Sequence, residues 1–252
     1  MILYDSPIFG PVHSRRLGIS LGINLLPKDG KWCSFDCIYC ECGLNKDSKA
    51  TAALPTKEAV GEKLREKLKA LKNEGIIPDV LTFAGNGEPT LHPDFPEIVK
   101  EVISVRDACC PSAKISILSN STRVTDAKVR EALLLLDNPI MKLDTVDASY
   151  IESVDRPVGQ YDVGKIIEGL KAMQGKCIIQ TMFMKGNGFN DLTEEYLQPY
   201  LACLEEIKPR SVMIYTIDRA TPVEGLEKAS HEEMDAVAER IRVLGIECSV
   251  SY

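Results

Sequence analysis

The chain has no surplus of positive charge, no long apolar run and no leader-like start, and each shortage removes a class of function. Its 252 residues carry 30 Lys and Arg against 37 Asp and Glu, a formal net charge of -7, with a pI near 5.2. That balance gives no chain-wide attraction for phosphate backbones and disfavours general nucleic-acid binding, leaving a local basic patch as the one route to it. No apolar stretch is long enough to cross a bilayer, and Met1 to Phe9 lacks the charged-then-apolar pattern of a signal peptide, so a cytoplasmic protein with no membrane partner is expected. Low-complexity segments are missing as well. So is a second CxxC or a histidine pair at suitable distance, which makes a four-ligand zinc site hard to build.

What the chain does have is cysteine. Nine in one chain of this kind read as metal chemistry plus small buried hydrophobes in a reducing compartment, not as a disulfide framework. Cys33, Cys37 and Cys40 form a CxxxCxxC triplet in a turn just after an apolar run. Three thiolates this close can hold three corners of one iron-sulfur cube and leave the fourth iron without a protein ligand. An open metal position is the mark of a catalytic centre. Cys42 could instead supply a fourth thiolate and close the site into an electron carrier, and spacing leaves that open. Cys109, Cys110, Cys177, Cys203 and Cys248 share no ligand spacing, and most of them are expected as buried small hydrophobes.

Around the triplet, apolar periodicity and turn residues predict an alternation of strands and helices. Strands are expected over 19–25, 79–84, 114–118, 140–143, 177–184, 212–217 and 247–250, and helices over 55–75, 95–107, 126–136, 163–173, 194–207 and 231–244. Phe9 to Gly18, rich in turn formers, reads as a loop, with Arg15 and Arg16 as surface charges or an anion clamp. Six β/α units before a last short strand imply a parallel sheet wrapped by helices, an α/β fold of the partial (β/α)6 TIM-type barrel kind. One domain over 1–252 is expected, with an N-terminal loop extension over 1–18 and the barrel core over 19–252.

Ligands of such folds sit at the carboxyl ends of the strands. There the chain has Gly85-Asn86-Gly87-Glu88-Pro89 after the second strand, Ser119-Asn120 after the third, Lys142 and Asp144 on one face of the fourth, and Asp218-Arg219 after the sixth. Gln180 lies on the fifth strand. The Lys142 and Asp144 pair is either a structural ion pair or a cation and an acid beside a ligand. Asp218 and Arg219 are either a loop ion pair or substrate contacts.

The triplet, with Tyr39 just before its last cysteine, resembles the signature of radical S-adenosylmethionine (SAM) enzymes, and Gly85 to Pro89 resembles their GGEP-type motif with Asn86 in place of a glycine. The resemblance implies that Cys33, Cys37 and Cys40 hold a [4Fe-4S] cluster whose open iron chelates SAM. Reductive cleavage of SAM would then give a 5′-deoxyadenosyl radical that takes hydrogen from a substrate. It implies that Tyr39, Gly85, Asn86, Gly87, Glu88, Pro89, Ser119, Asn120, Lys142 and Asp144 line the SAM site, and that flavodoxin or ferredoxin supplies electrons. Further segments, Gly10 to Gly18, Gly22 to Pro27, Gly87 to Pro93 and Lys142 to Asp144, resemble bacterial relatives of wyosine synthase, which modifies a tRNA guanine. No cysteine precedes Cys33 in this sequence, so that family's second cluster is not expected, nor are its flavodoxin-like and cysteine-rich domains. The implied substrate is a tRNA base or small nucleotide; a glycyl-radical activating role and an electron carrier are the alternatives.

Overall fold

The computed structural model describes residues 2–14 and 17–252. Arg15 and Arg16, read above as a possible anion clamp, lie outside the described residues. Strands β1 (Ile8–Ser14), β2 (Gly18–Ile23), β3 (Val80–Phe83), β4 (Lys114–Ser119), β5 (Asn138–Lys142), β6 (Ile178–Met182), β9 (Ser211–Tyr215) and β11 (Glu247–Ser251) form one sheet in that order. All neighbours are parallel except β1, which runs antiparallel to β2. Helices α1 (Lys57–Asn73), α2 (Phe95–Cys109), α3 (Ala127–Leu133), α5 (Val163–Lys171), α6 (Glu194–Ile207) and α7 (His231–Val243) make the crossovers. The fold is the curled, partial (β/α)6 TIM-type barrel that the alternation predicts.

The reasons are local and legible. In α1 the buried residues Val60, Leu64, Leu68 and Leu71 lie on one stripe, and the Thr56 side chain caps the first turn by accepting the Ala59 N–H. A capping box between Ser230 and Glu233 starts α7. Helix α6 runs through Pro199 because its apolar stripe, Leu197, Leu201, Leu204 and Ile207, is anchored in the core. Strand residues Leu21, Ile23, Leu81, Phe83, Ile117 and Ile179 are fully buried beneath the helices. Each such side chain contributes about 1.5–3 kcal/mol.

The structure departs from the expected elements at two places. Residues 8–14, expected as part of an N-terminal loop, are the edge strand β1. A shift of register between Phe9 and Val12 absorbs Gly10-Pro11, since an edge strand tolerates a proline and a bulge. Gly22 on β2 leaves room for the Phe9 ring, which would lie 2.1 Å from a Cβ there. The expected strand 177–184 is also split. Its end leaves the main sheet as β7 (Met184–Gly186), which pairs with β8 (Phe189–Asn190) and β10 (Leu226–Lys228) in a small antiparallel sheet. Between β5 and α5 a helical turn α4 (Ala148–Tyr150) runs on as one π-type turn over Ile151–Asp155. Among the described residues, no helix is long and apolar enough to cross a membrane.

Candidate active site

The cysteine loop follows β2 at the carboxyl end of the parallel strands. It is held on two flanks. On one, Trp32 donates to the Asn86 carbonyl at 2.8 Å and accepts from the Glu88 N–H at 3.1 Å, a bridge to the loop after β3. Gly87 makes this possible, because its φ is +133° and a Cβ there would fall 2.0 Å from the Trp32 carbonyl oxygen. On the other flank Asp36 donates to Asp155 O at 3.0 Å, Ile38 to Val154 O at 2.9 Å, and Val158 to Ser34 O at 2.8 Å. Phe35, Ile38, Tyr39, Tyr150, Val154, Met182 and Met184 form a second apolar cluster that seats the loop on the sheet.

All nine cysteines are free thiols, and the triplet is surrounded by hydrogen-bond donors. Asn120 Nδ2 and the Phe35 N–H each lie 3.5 Å from Cys33 Sγ, and Lys142 Nζ lies 3.7 Å from Cys37 Sγ. Lys31, its side chain only 1 % exposed, donates to the Gly43 carbonyl at 3.0 Å and pairs with Asp36 at 3.3 Å. The Cys40 thiol is drawn down to about 6 by a hydrogen bond from Cys42 and by the Lys31 ammonium, against burial. Burial pushes the Cys33 thiol up to about 12 and raises Cys37 as well, with the Lys142 cation opposing. Burial works against the Lys31 charge too, yet the three sulfurs and Asp36 more than offset it. Cys42 Sγ faces the Gly85 carbonyl at 3.3 Å.

The loops expected at the site converge, though not all side chains point into it. Asn86 is fully buried and turned away: its amide donates to Tyr4 O and Pro27 O, both at 2.9 Å, which ties down the N-terminal segment. Glu88 is also turned into the fold. Its carboxylate accepts from Thr90 N at 3.0 Å, Ser119 Oγ at 2.9 Å and Asn120 N at 2.6 Å, and burial raises its carboxyl despite those bonds. Ser119 is thereby spent on Glu88. Asn120 reaches back to the triplet, with Nδ2 2.9 Å from Ser34 Oγ.

Lys142 and Asp144 do share one face, 2.9 Å apart. The sequence did not reveal their partner: Asp155, from the turn after α4, also binds Lys142 Nζ, while Tyr39 donates to Asp144. The ammonium lies 5.0 Å from the Phe35 ring centre and 5.3 Å from that of Tyr39. Gln180 pairs in register with Lys142 on the neighbouring strand. Arg219 reaches Glu41, next to Cys40, across the opening. A cleft of about 580 Å³ opens beside the cysteine loop, lined by Ser34, Thr122, Arg123, Tyr161 and Lys165 among others.

A curled parallel sheet with a cysteine triplet after its first parallel strand defines a class, and a family model agrees: that of the radical SAM superfamily matches residues 28–198. The chain belongs to that superfamily, whose members use a [4Fe-4S] cluster and SAM. Within it the chain is 34 % identical over 231 residues to a UPF0026 protein of Helicobacter pylori, covering 90 % of this chain and 71 % of that one. It is 33 % identical over 232 residues to a protein of Brachyspira hyodysenteriae named GTPase Obg, covering 90 % of this chain and 32 % of that one. The chain thus spans about a third of the latter's length, and it carries no GxxxxGK[ST] phosphate loop of its own. A radical SAM methyltransferase from Sphaerobacter thermophilus shares the fold with a TM-score of 0.68 over 92 % of this chain and 66 % of that one, at 13 % identity.

The residues present fit such a cluster. Three reduced, largely buried thiols sit together under N–H and ammonium donors, the surroundings that stabilise thiolate-bound iron. Among the described residues no three His, Cys, Asp or Glu side chains are arranged to hold a single metal ion. Three corners of one cube stand farther apart than the ligands of one ion.

Proposed function

We propose that this protein is a single-cluster radical SAM enzyme acting on a small nucleotide-like substrate. The observation that carries the reading is the convergence of Cys33, Cys37 and Cys40 beneath donors from Asn120, Phe35 and Lys142. These three thiolates would hold the [4Fe-4S] cluster, which supplies the electron that cleaves SAM to a 5′-deoxyadenosyl radical.

The chain's own residues prepare that site. Lys142 keeps a buried cation beside Cys37, stabilised by Asp144 and Asp155, and is the group suited to the SAM carboxylate. Backbone carbonyls of Gly85 to Pro89 are suited to its ammonium group, and Asn120 to its ribose. Phe35, Ile38 and Tyr39 keep water from the cluster side, which protects a carbon radical from side reactions. The cleft of about 580 Å³ beside Ser34 suits a small molecule better than a folded RNA, as does the net charge of -7. Kinship to the wyosine synthases is part of this proposal and rests on the shared segments alone. Electrons would come from flavodoxin or ferredoxin.

The test is anaerobic reconstitution with iron and sulfide, then reduction in the presence of SAM. The reading expects SAM-dependent change in the cluster spectrum and release of 5′-deoxyadenosine; neither would appear in a simple electron carrier.

A further inference from the structure

Lysine is among the residues least often buried, and Lys31 is buried inside the loop that carries the triplet. Its backbone N–H donates to Ser48 Oγ at 2.8 Å, which pins the chain before Trp32. Its ammonium is then enclosed by the same loop: Gly43 O lies 3.0 Å away and Asp36 Oδ1 3.3 Å away. That carboxylate oxygen is shared, since Asn45 N donates to it at 2.7 Å. Two of the ammonium's three protons are thus taken by the loop, so the cation is enclosed within the same segment, 31–43, that carries all three cysteines of the triplet. The nearest carboxylate is itself 24 % exposed, so water screens it more than it screens the enclosed cation.

We propose that Lys31 is a positioning residue that sets the reduction potential of the cluster, raising it toward the reach of a cellular reductant. Reduction adds one electron, delivered by an external low-potential donor, to the cluster and moves no proton. The site gains one negative charge, and a buried cation against the sulfurs stabilises the reduced state more than the oxidised one. Lys142, held between two carboxylates at Cys37, contributes less net charge than Lys31, which has one partner carboxylate.

This rests on the reading that the triplet holds the cluster, and the experiment separates the two. The full-length protein is reconstituted anaerobically, iron and sulfide are counted, and the potential is titrated with the reduced cluster followed by electron paramagnetic resonance. A wild-type chain that takes up no cluster overturns the underlying reading. With clusters intact, Lys31→Gln should shift the reduction equilibrium toward the oxidised form by on the order of tenfold, roughly 59 mV for one electron. Lys31→Arg should stay near wild type. An unchanged potential in Lys31→Gln, or an equal fall in Lys31→Arg, overturns the inference. Should Lys31→Gln not assemble, Asp36→Asn and the double variant Lys31→Gln with Asp36→Asn carry the test: both lack the carboxylate, so a lower potential in the double variant reads the charge of Lys31 alone. Equal potentials in Asp36→Asn and the double variant overturn the inference.

Discussion

The Glu88 carboxylate accepts the Asn120 backbone N–H at 2.6 Å, and this bond joins the turn after β3 to the turn after β4. Because Glu88 N–H also binds the Trp32 carbonyl, three successive loops share one residue. The glutamate works as a joint between loops, while Asn120 carries the polar side chain onward to Ser34 and Cys33.

Glu88→Gln is expected to lower the unfolding free energy by about 1–3 kcal/mol, because the amide nitrogen would face a buried donor that now goes unpaired. Urea denaturation of the reduced chain reads this directly. A loss under roughly 0.5 kcal/mol, the range of ordinary surface changes, would mean the loops are joined elsewhere.

Gly87→Ala should be worse tolerated. A Cβ 2.0 Å from the Trp32 carbonyl oxygen cannot be relieved by a side-chain rotation, and the backbone angle itself costs about 1–3 kcal/mol for alanine. The bridge to Trp32 opens and the triplet loses one flank. Reduced iron uptake together with a lower denaturation midpoint is the expected outcome; a wild-type midpoint contradicts it.

Cys42→Ala separates the enzyme from the carrier reading. With Cys42 facing the Gly85 carbonyl, the variant should keep wild-type iron and sulfide content, whereas Cys33→Ala, Cys37→Ala and Cys40→Ala should each lose most of it. Loss of the cluster in Cys42→Ala would make it a fourth ligand.

Asp155 gives a pH signature. Burial, joined by the neighbouring Asp144 and opposed by Lys142, raises its carboxyl from 3.8 to about 7. A raised carboxyl binds its proton more tightly in the folded chain, so its stabilising share is complete below 3.8 and is lost as pH rises through about 7. Asp155→Asn cannot titrate. The stability difference, variant minus wild type, should therefore climb across that window by up to about 1.4 kcal/mol per pH unit. Urea unfolding of the metal-free chain at several pH values checks it, and a flat difference refutes it.

Much of the fold was legible because helical and strand periods alternate cleanly, and that alternation also located the carboxyl-end loops. The edge strand β1 was not legible: Gly10 and Pro11 carry the marks of a turn, and only pairing with β2 makes them a bulge. Nor was the break after Met182, where an unbroken apolar run hides a change of sheet. At the site, the triplet and Lys142 with Asp144 were visible as spacing along one segment. Asp155 and Lys31 were not, since the first comes from a loop thirteen residues on and the second sits where flanking residues signal only a turn. The directions of the Asn86 and Glu88 side chains were not legible for a similar reason, because sequence cannot show which way a loop side chain turns.

The seam between 34–38 and 154–158 also bears on the protein's biogenesis. Cys37, 7 % exposed, lies between Asp36 and Ile38, whose amides close that seam. If Cys37 holds the cluster as proposed, uptake of iron and sulfide by the finished chain would depend on local opening of this seam.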